Sequence, residues 1–151
     1  MLVSALKLRP FGTAIIADAG NRTFAELNAN ANRLVRALRS RGVGAGDAIA
    51  LVCSNRAEFA EVVAAATRMG ARLTTVNWHL TGDEMGYIVD NSDAKAVVGD
   101  VRFAAAIVAA VAQSPNVRVR LAVGGMITGF DDYADVLAQH DGDDIDDPVL
   151  G

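Results

Sequence analysis

The sequence predicts an α/β fold, a layered and mainly parallel sheet with helices on both faces. Three observations predict it. Short strand-forming runs alternate with segments of helical period along most of the chain. Four such strand–helix pairs follow one another, and successive parallel strands need helical crossovers of right-handed sense. The run AIALVC at 48–53 is apolar without interruption, as a strand buried on both faces is.

Residues 1–12 carry no clear period. Residues 13–17 (TAIIA) read as a short strand, and Gly20-Asn21 as a turn, because both residues tolerate positive φ. Thr23 opens a helix, and Thr23 and Glu26 have capping-box spacing, each side chain satisfying a free backbone N–H. Phe24, Leu27, Ala31, Leu34, Val35 and Leu38 then recur on one helical face, and Gly42 supplies a left-handed stop. After the strand at 48–53 comes a helix over 56–69, with Phe59, Val62, Val63 and Ala66 inward and Gly70 at its end. A β-branched strand at 72–76 leads to a helix over 81–90, whose start repeats the capping box with Thr81 and Glu84. A strand at 95–98, a helix over 102–112, a strand at 117–123 and a last helix over 130–139 complete the alternation.

Composition bounds the function. The chain has 151 residues, 52% hydrophobic and 21% charged, enough to bury a core without metal or disulfide staples. The net charge of −4 argues against a nucleic-acid partner, since phosphate contacts dominate that affinity. The single cysteine, Cys53, excludes an internal disulfide and a Cys-cluster zinc site. No apolar run reaches the ~18 residues of a membrane helix, and the N-terminus lacks the pattern of a signal peptide, so a cytoplasmic location is expected.

Single motifs point to structure before chemistry. Gly42, Gly44 and Gly46 lie between a helix and a strand, the reverse of the order a phosphate loop needs. Gly124, Gly125 and Gly129 follow a strand, but Phe130-Asp131 stands where a P-loop has Lys and Ser/Thr. The run DGDDIDD at 141–147 holds five aspartates in seven positions. It lacks the terminal Glu and the Gly placement of an EF-hand, and reads as a solvated linker or frayed end. Arg33, Arg36, Arg39 and Arg41 make one helix basic, which suits a solvated face and leaves a membrane-surface or acidic-partner role open. Cys53-Ser54-Asn55 has no G-x-S-x-G elbow, and a buried cysteine followed by a Ser/Asn helix cap accounts for it. Trp78 and His79 fall after a strand, where open α/β sheets place ligands; core packing and a pocket wall are both open to them. The residues alone show no catalytic constellation.

The order of the pieces adds what no single motif does. Thr23-Phe24-Ala25-Glu26-Leu27 is followed by Asn32-Arg33-Leu34, Leu38, Gly42-Val43 and Gly46-Asp47. Asn55, Glu58-Phe59, Gly70-Ala71, Val76-Asn77, Leu80, Glu84, Tyr87-Ile88, Asn91-Ser92 and Ala94-Lys95 complete the series. This ordered set resembles the N-terminal part of the adenylate-forming (AMP-binding) enzymes, in particular the fatty-acyl-CoA synthetases. The resemblance is specific over 11–98 and weaker beyond. It implies that 1–140 is an α/β subdomain of the large N-terminal domain, and that 141–151 leads toward a phosphate loop that this sequence does not contain.

The resemblance further implies the reaction of the intact enzyme, carboxylate to acyl-adenylate to acyl-CoA, with fatty acid, ATP, Mg²⁺ and CoA. No catalytic, cofactor-binding or metal-binding residue carries over onto this stretch, and no cofactor is expected in it. Trp78 and His79 are the candidates for a wall of the acyl pocket. The expectation is a scaffold portion, inactive by itself, that self-associates through surface the rest of the enzyme would cover. The alternative is a stand-alone, non-catalytic α/β domain for interaction or small-molecule binding.

Overall fold

The computed structural model describes residues 7–149. The chain begins with an antiparallel pair, β1 (Thr13–Ile15) and β2 (Arg22–Thr23), in which Thr13 faces Thr23 and Ile15 faces Arg22. Helix α1 (Phe24–Ser40) starts directly after it. Its capping box forms as expected: Thr23 Oγ1 accepts from the Glu26 amide at 3.2 Å, and Glu26 Oε2 accepts from the Thr23 amide at 2.8 Å.

The main sheet follows. It contains β3 (Ala48–Val52), β4 (Arg72–Thr75), β5 (Ala94–Asp100), β6 (Val119–Val123) and β7 (Asp131–Asp132) in the order β4-β3-β5-β6-β7. Every pairing is parallel, with Ile49 opposite Leu73 and Ala96, and Val98 opposite Leu121. Helices α2 (Ala57–Met69), α3 (Gly82–Asn91), α4 (Ala104–Ala112) and α5 (Tyr133–Ala138) supply the crossovers and the last layer.

The central strand β3 buries both faces, as the uninterrupted apolar run required, and β5 does so over most of its length. Ile49, Leu51, Ala96, Val98 and Leu121 meet Leu34, Leu38, Val62 and Met69 of α1 and α2, with α5 completing that layer. Ala50, Val52, Val97 and Ala122 meet Met85, Val89, Ile107 and Val111 of α3 and α4 on the opposite face. Alternate side chains of one strand therefore serve two separate cores.

Four local expectations change. The segment after β5 begins with a 3₁₀ turn, Val101–Phe103, because the Asp100 carboxylate takes the Arg102 amide at 3.0 Å and tightens the turn. The last helix starts at Tyr133 and not at 130, since β7 intervenes and Asp132 caps the helix by accepting from the Asp135 amide at 2.9 Å. Ser54 and Asn55 do not cap α2: the N-cap is Arg56, without a side-chain cap bond. The acidic segment, expected as a linker or frayed end, lies along α1 and α2 through residue 149 and buries Ile145. Its aspartates find amides and guanidinium groups that the linear sequence does not show to be adjacent.

A candidate binding cleft at the carboxyl edge of the sheet

The strand order reverses at β3. From β3 the chain crosses to β4 on one side, then returns past β3 to β5, β6 and β7 on the other. The carboxyl ends of β3 and β5 thus send their loops to opposite faces, and a crevice opens between them, the usual ligand position in an open parallel sheet. Here the crevice has a volume of about 230 Å³ and is lined by Asp18, Ser54, Asn55, Arg56, Trp78 and Arg102, with Ala19 at its margin.

Its floor is a buried polar pair. Ser54 leaves the end of β3 and donates from Oγ to Oδ2 of Asp100, the last residue of β5, at 2.6 Å. Asp100 is fully buried and Ser54 nearly so. Burial alone would raise the Asp100 carboxyl, but the bonds from Ser54 and from the Arg102 amide outweigh it and hold the group below its ordinary range. Asp100 is therefore a carboxylate at neutral pH, and its lone pairs are committed to the fold.

The walls carry charge and aromatic surface. Arg56 donates from Nε and Nη2 to the Glu58 carboxylate, both at 3.2 Å, and that partner raises its already high pKa. Its guanidinium lies where a side chain at Gly124 would begin: a Cβ there would sit 2.9 Å from Nη1. With φ at +80°, Gly124 both turns the chain after β6 and clears the space for Arg56. Arg102 places its guanidinium 5.4 Å from the centre of the Phe103 ring. Trp78 stacks on Phe103 with centroids 5.8 Å apart and planes 15° apart.

The two candidates for a pocket wall are placed differently. Trp78 lines the cleft and is half-buried. His79 is exposed beside it, its amide donating to Asn77 Oδ1 at 3.0 Å, and its ring 5.6 Å from Trp78. Arg56, Asp100 and Arg102 are residues of the cleft that local motifs did not single out, and Ser54 was read as a helix cap. Their shared signal is position: each lies at or just after the end of a strand.

The nucleophilic groups at the cleft are held in the fold. Burial and the neighbouring Asp100 and Glu58 charges push the Cys53 thiol up to about 12, so it carries no nucleophilic thiolate at neutral pH. The Ser54 hydroxyl is turned into Asp100, and no histidine lines the cleft. Among the described residues no group of three or more His, Cys, Asp or Glu could hold a metal ion.

A second, larger cleft of about 390 Å³ lies between α1, α2 and α5. Its polar centre is Glu61, fully buried, which accepts from Arg22 Nε at 2.8 Å, Asn30 Nδ2 at 2.8 Å and Tyr133 Oη at 2.9 Å. Burial first, and then the Glu61 charge, drive the Tyr133 hydroxyl well above its ordinary pKa, so it stays a donor. These groups satisfy one another and join four elements, β2, α1, α2 and α5.

Comparison with known proteins decides the family. Residues 4–147 match the AMP-binding enzyme family. The chain belongs to that family. A medium/long-chain-fatty-acid–CoA/3-oxocholest-4-en-26-oate–CoA ligase of Mycobacterium marinum is 34% identical over 119 residues, covering 79% of this chain and 22% of the ligase. A 2-succinylbenzoate–CoA ligase of Geobacillus kaustophilus is 35% identical over 122 residues, covering 76% of this chain and 25% of that enzyme.

Among solved structures, a Mycobacterium tuberculosis fatty acyl CoA synthetase superposes with a TM-score of 0.86 at 26% identity, over 99% of this chain and 30% of its own. An anthranilate CoA ligase in complex with anthranoyl-AMP gives 0.87 at 22% identity, over 94% and 27%, a likeness of fold. The chain thus spans about a quarter of these AMP-binding enzymes. Its sheet corresponds to part of their N-terminal domain. Among the described residues no helix is long and apolar enough to cross a membrane.

Proposed function

We propose that this chain is the N-terminal scaffold portion of an ATP-dependent fatty-acyl-CoA ligase and has no ligase activity alone. The observation that carries the reading is the cleft at the strand reversal. It presents Trp78 and two guanidinium groups to a ligand, while Ser54 is turned into the buried Asp100 and the adjoining Cys53 is held as a thiol. Adenylation needs a triphosphate neutralised by cations and backbone donors as charge develops. Arg56 is held by Glu58 and Arg102 rests on Phe103, an arrangement suited to supporting a ligand and not to driving phosphate chemistry. Trp78 then forms part of an acyl-pocket wall, with His79 at its rim. Fatty acid, ATP, Mg²⁺ and CoA are the substrates and cofactor of the intact enzyme, and medium- or long-chain acids are its substrate class, as the mycobacterial relative's name suggests.

The test is release of pyrophosphate from ATP with a medium- or long-chain fatty acid, on chain shown by circular dichroism to be folded. The expected rate equals the protein-free blank. Turnover dependent on both fatty acid and ATP would overturn the proposal.

A further inference from the structure

The basic face of α1 and the acidic run at 141–147 each suit water when taken separately. In the fold they meet. Asn28 and Asn32 donate from Nδ2 to Oδ1 of Asp144 at 2.8 and 3.0 Å, and Asn32 Nδ2 also reaches the Gly142 carbonyl at 3.1 Å. Arg36 Nη1 donates to the carbonyl oxygens of Asp141 and Asp143 at 3.0 and 2.6 Å, and its Nη2 to that of Asp144 at 3.4 Å. Arg39 Nη1 lies 2.8 Å from Asp147 Oδ1. Positions 28, 32, 36 and 39 form one stripe of the helix.

Arg68 of α2 completes the arrangement. It donates to Asn32 Oδ1 at 2.6 Å and to Asn28 Oδ1 at 2.9 Å, which turns both amide nitrogens toward Asp144. Its carbonyl accepts the Val149 amide at 2.8 Å. Beyond Asn28 and Asn32, Asp144 faces the charges of Arg68 and Arg36, with four further aspartates on its own segment. Apolar burial is confined to one anchor: Ile145 joins the core under α1 and α2, while Val149 is 44% exposed and a gap of about 200 Å³ remains between the segment and the helices.

We propose that residues 141–149 form a salt-sensitive strap. It docks on α1 and α2 through the Arg68–asparagine–Asp144 relay and the Arg36 and Arg39 contacts. It leaves as a unit when charges are screened, while the sheet and both cores stay folded. A segment held by ions and backbone carbonyls over a poorly filled gap opens at lower free energy than the sheet. Its attachment to arginines weakens as the screening length falls from ~10 Å at 0.1 M salt to ~3 Å at 1 M. Release uncovers the polar and basic stripe of α1.

The test places a thiol under the strap, Ile145→Cys in the full chain, and follows its alkylation by neutral iodoacetamide. Cys53 is the internal reference, since it is buried and its thiol is pushed up to about 12. Labelling at position 145 rises about ten-fold or more between 0.02 and 1 M NaCl while Cys53 stays unlabelled. Arg68→Met in the same background labels rapidly at low salt with unchanged circular dichroism. Amide exchange at Val149 in the unsubstituted chain gives the same reading without a cysteine at 145: protected at low salt and fast at high salt. Labelling that ignores salt, labelling of both cysteines in step, or a Val149 amide equally fast in both salts overturns the strap.

Discussion

Ser54→Ala is the sharpest probe of the cleft floor. It deletes one hydroxyl and leaves the fully buried Asp100 carboxylate with the backbone amides of residues 102 and 54. A buried hydrogen bond to a charged group contributes about 1.5–3 kcal/mol, and the bond here is short. The expected loss at pH 7 is about 2 kcal/mol, a fall in Tm of about 4–8 °C for a chain of this size. The pH dependence carries a sign. Asp100 is depressed in the folded chain, so its contribution is present above the unfolded carboxylate pKa and is lost as pH falls through the folded one. Removing Ser54 raises the folded value toward the unfolded one. The penalty is therefore greatest at neutral pH and shrinks in acid, where Asp100 is protonated in both proteins. Urea unfolding of the two proteins at several pH values from 7 downward measures this directly. A loss below about 0.5 kcal/mol at pH 7, or one that does not change with pH, would refute the assignment of Ser54 as the bond holding Asp100 ionised.

Tyr133→Phe removes one of three donors to buried Glu61 and costs about 1–2 kcal/mol; Glu61→Ala strips the whole junction and costs about 3–5 kcal/mol, both read by urea unfolding. Cys53 is unreactive toward iodoacetamide at pH 8 in the folded chain and reacts fully in urea; rapid labelling without denaturant would contradict its burial and raised pKa. Phe11, Ile16, Leu8 and Met126 are each more than four-fifths exposed, so self-association of the isolated chain is the expected outcome, read as an apparent mass that rises across a concentration series in gel filtration. A constant monomer mass would count against that.

The fold was legible because its signals are local. The Thr23–Glu26 and Thr81–Glu84 boxes formed at the expected residues, and Gly70 ends α2 with φ at +71°. The uninterrupted apolar run at 48–53 became a central strand with both faces buried. The misplaced starts of α4 and α5 came from Asp100 and Asp132, two aspartates whose capping roles depend on a preceding strand.

The cleft was legible only at Trp78, a large side chain following a strand. Ser54 read as a helix cap because Ser before a helix usually is one. What turned it inward was Asp100, 46 positions away, brought alongside when β5 paired with β3. The acidic run shows the same limit at longer range. Five clustered aspartates state their mutual repulsion in one dimension, and the arginines at 33, 36, 39 and 41 state theirs. That the two relieve each other depends on contacts such as Asn28 with Asp144, 116 positions apart.

Sequence by itself determined the alternation of strands and helices, their caps, the two-faced burial of the sheet and the family to which the chain belongs. The first three follow from periodicity and from neighbours within one helical turn or one strand, and the family from the resemblance carried by the ordered set of residues. Tertiary structure alone decided the strand order, and with it which loops face the crevice, which carboxylate is buried in the cleft floor and where the acidic segment docks. Burial and pairing of charged groups depend on distances that chain position does not encode, because the Coulomb and desolvation energies of a carboxylate are set by whichever side chains folding brings within a few ångströms.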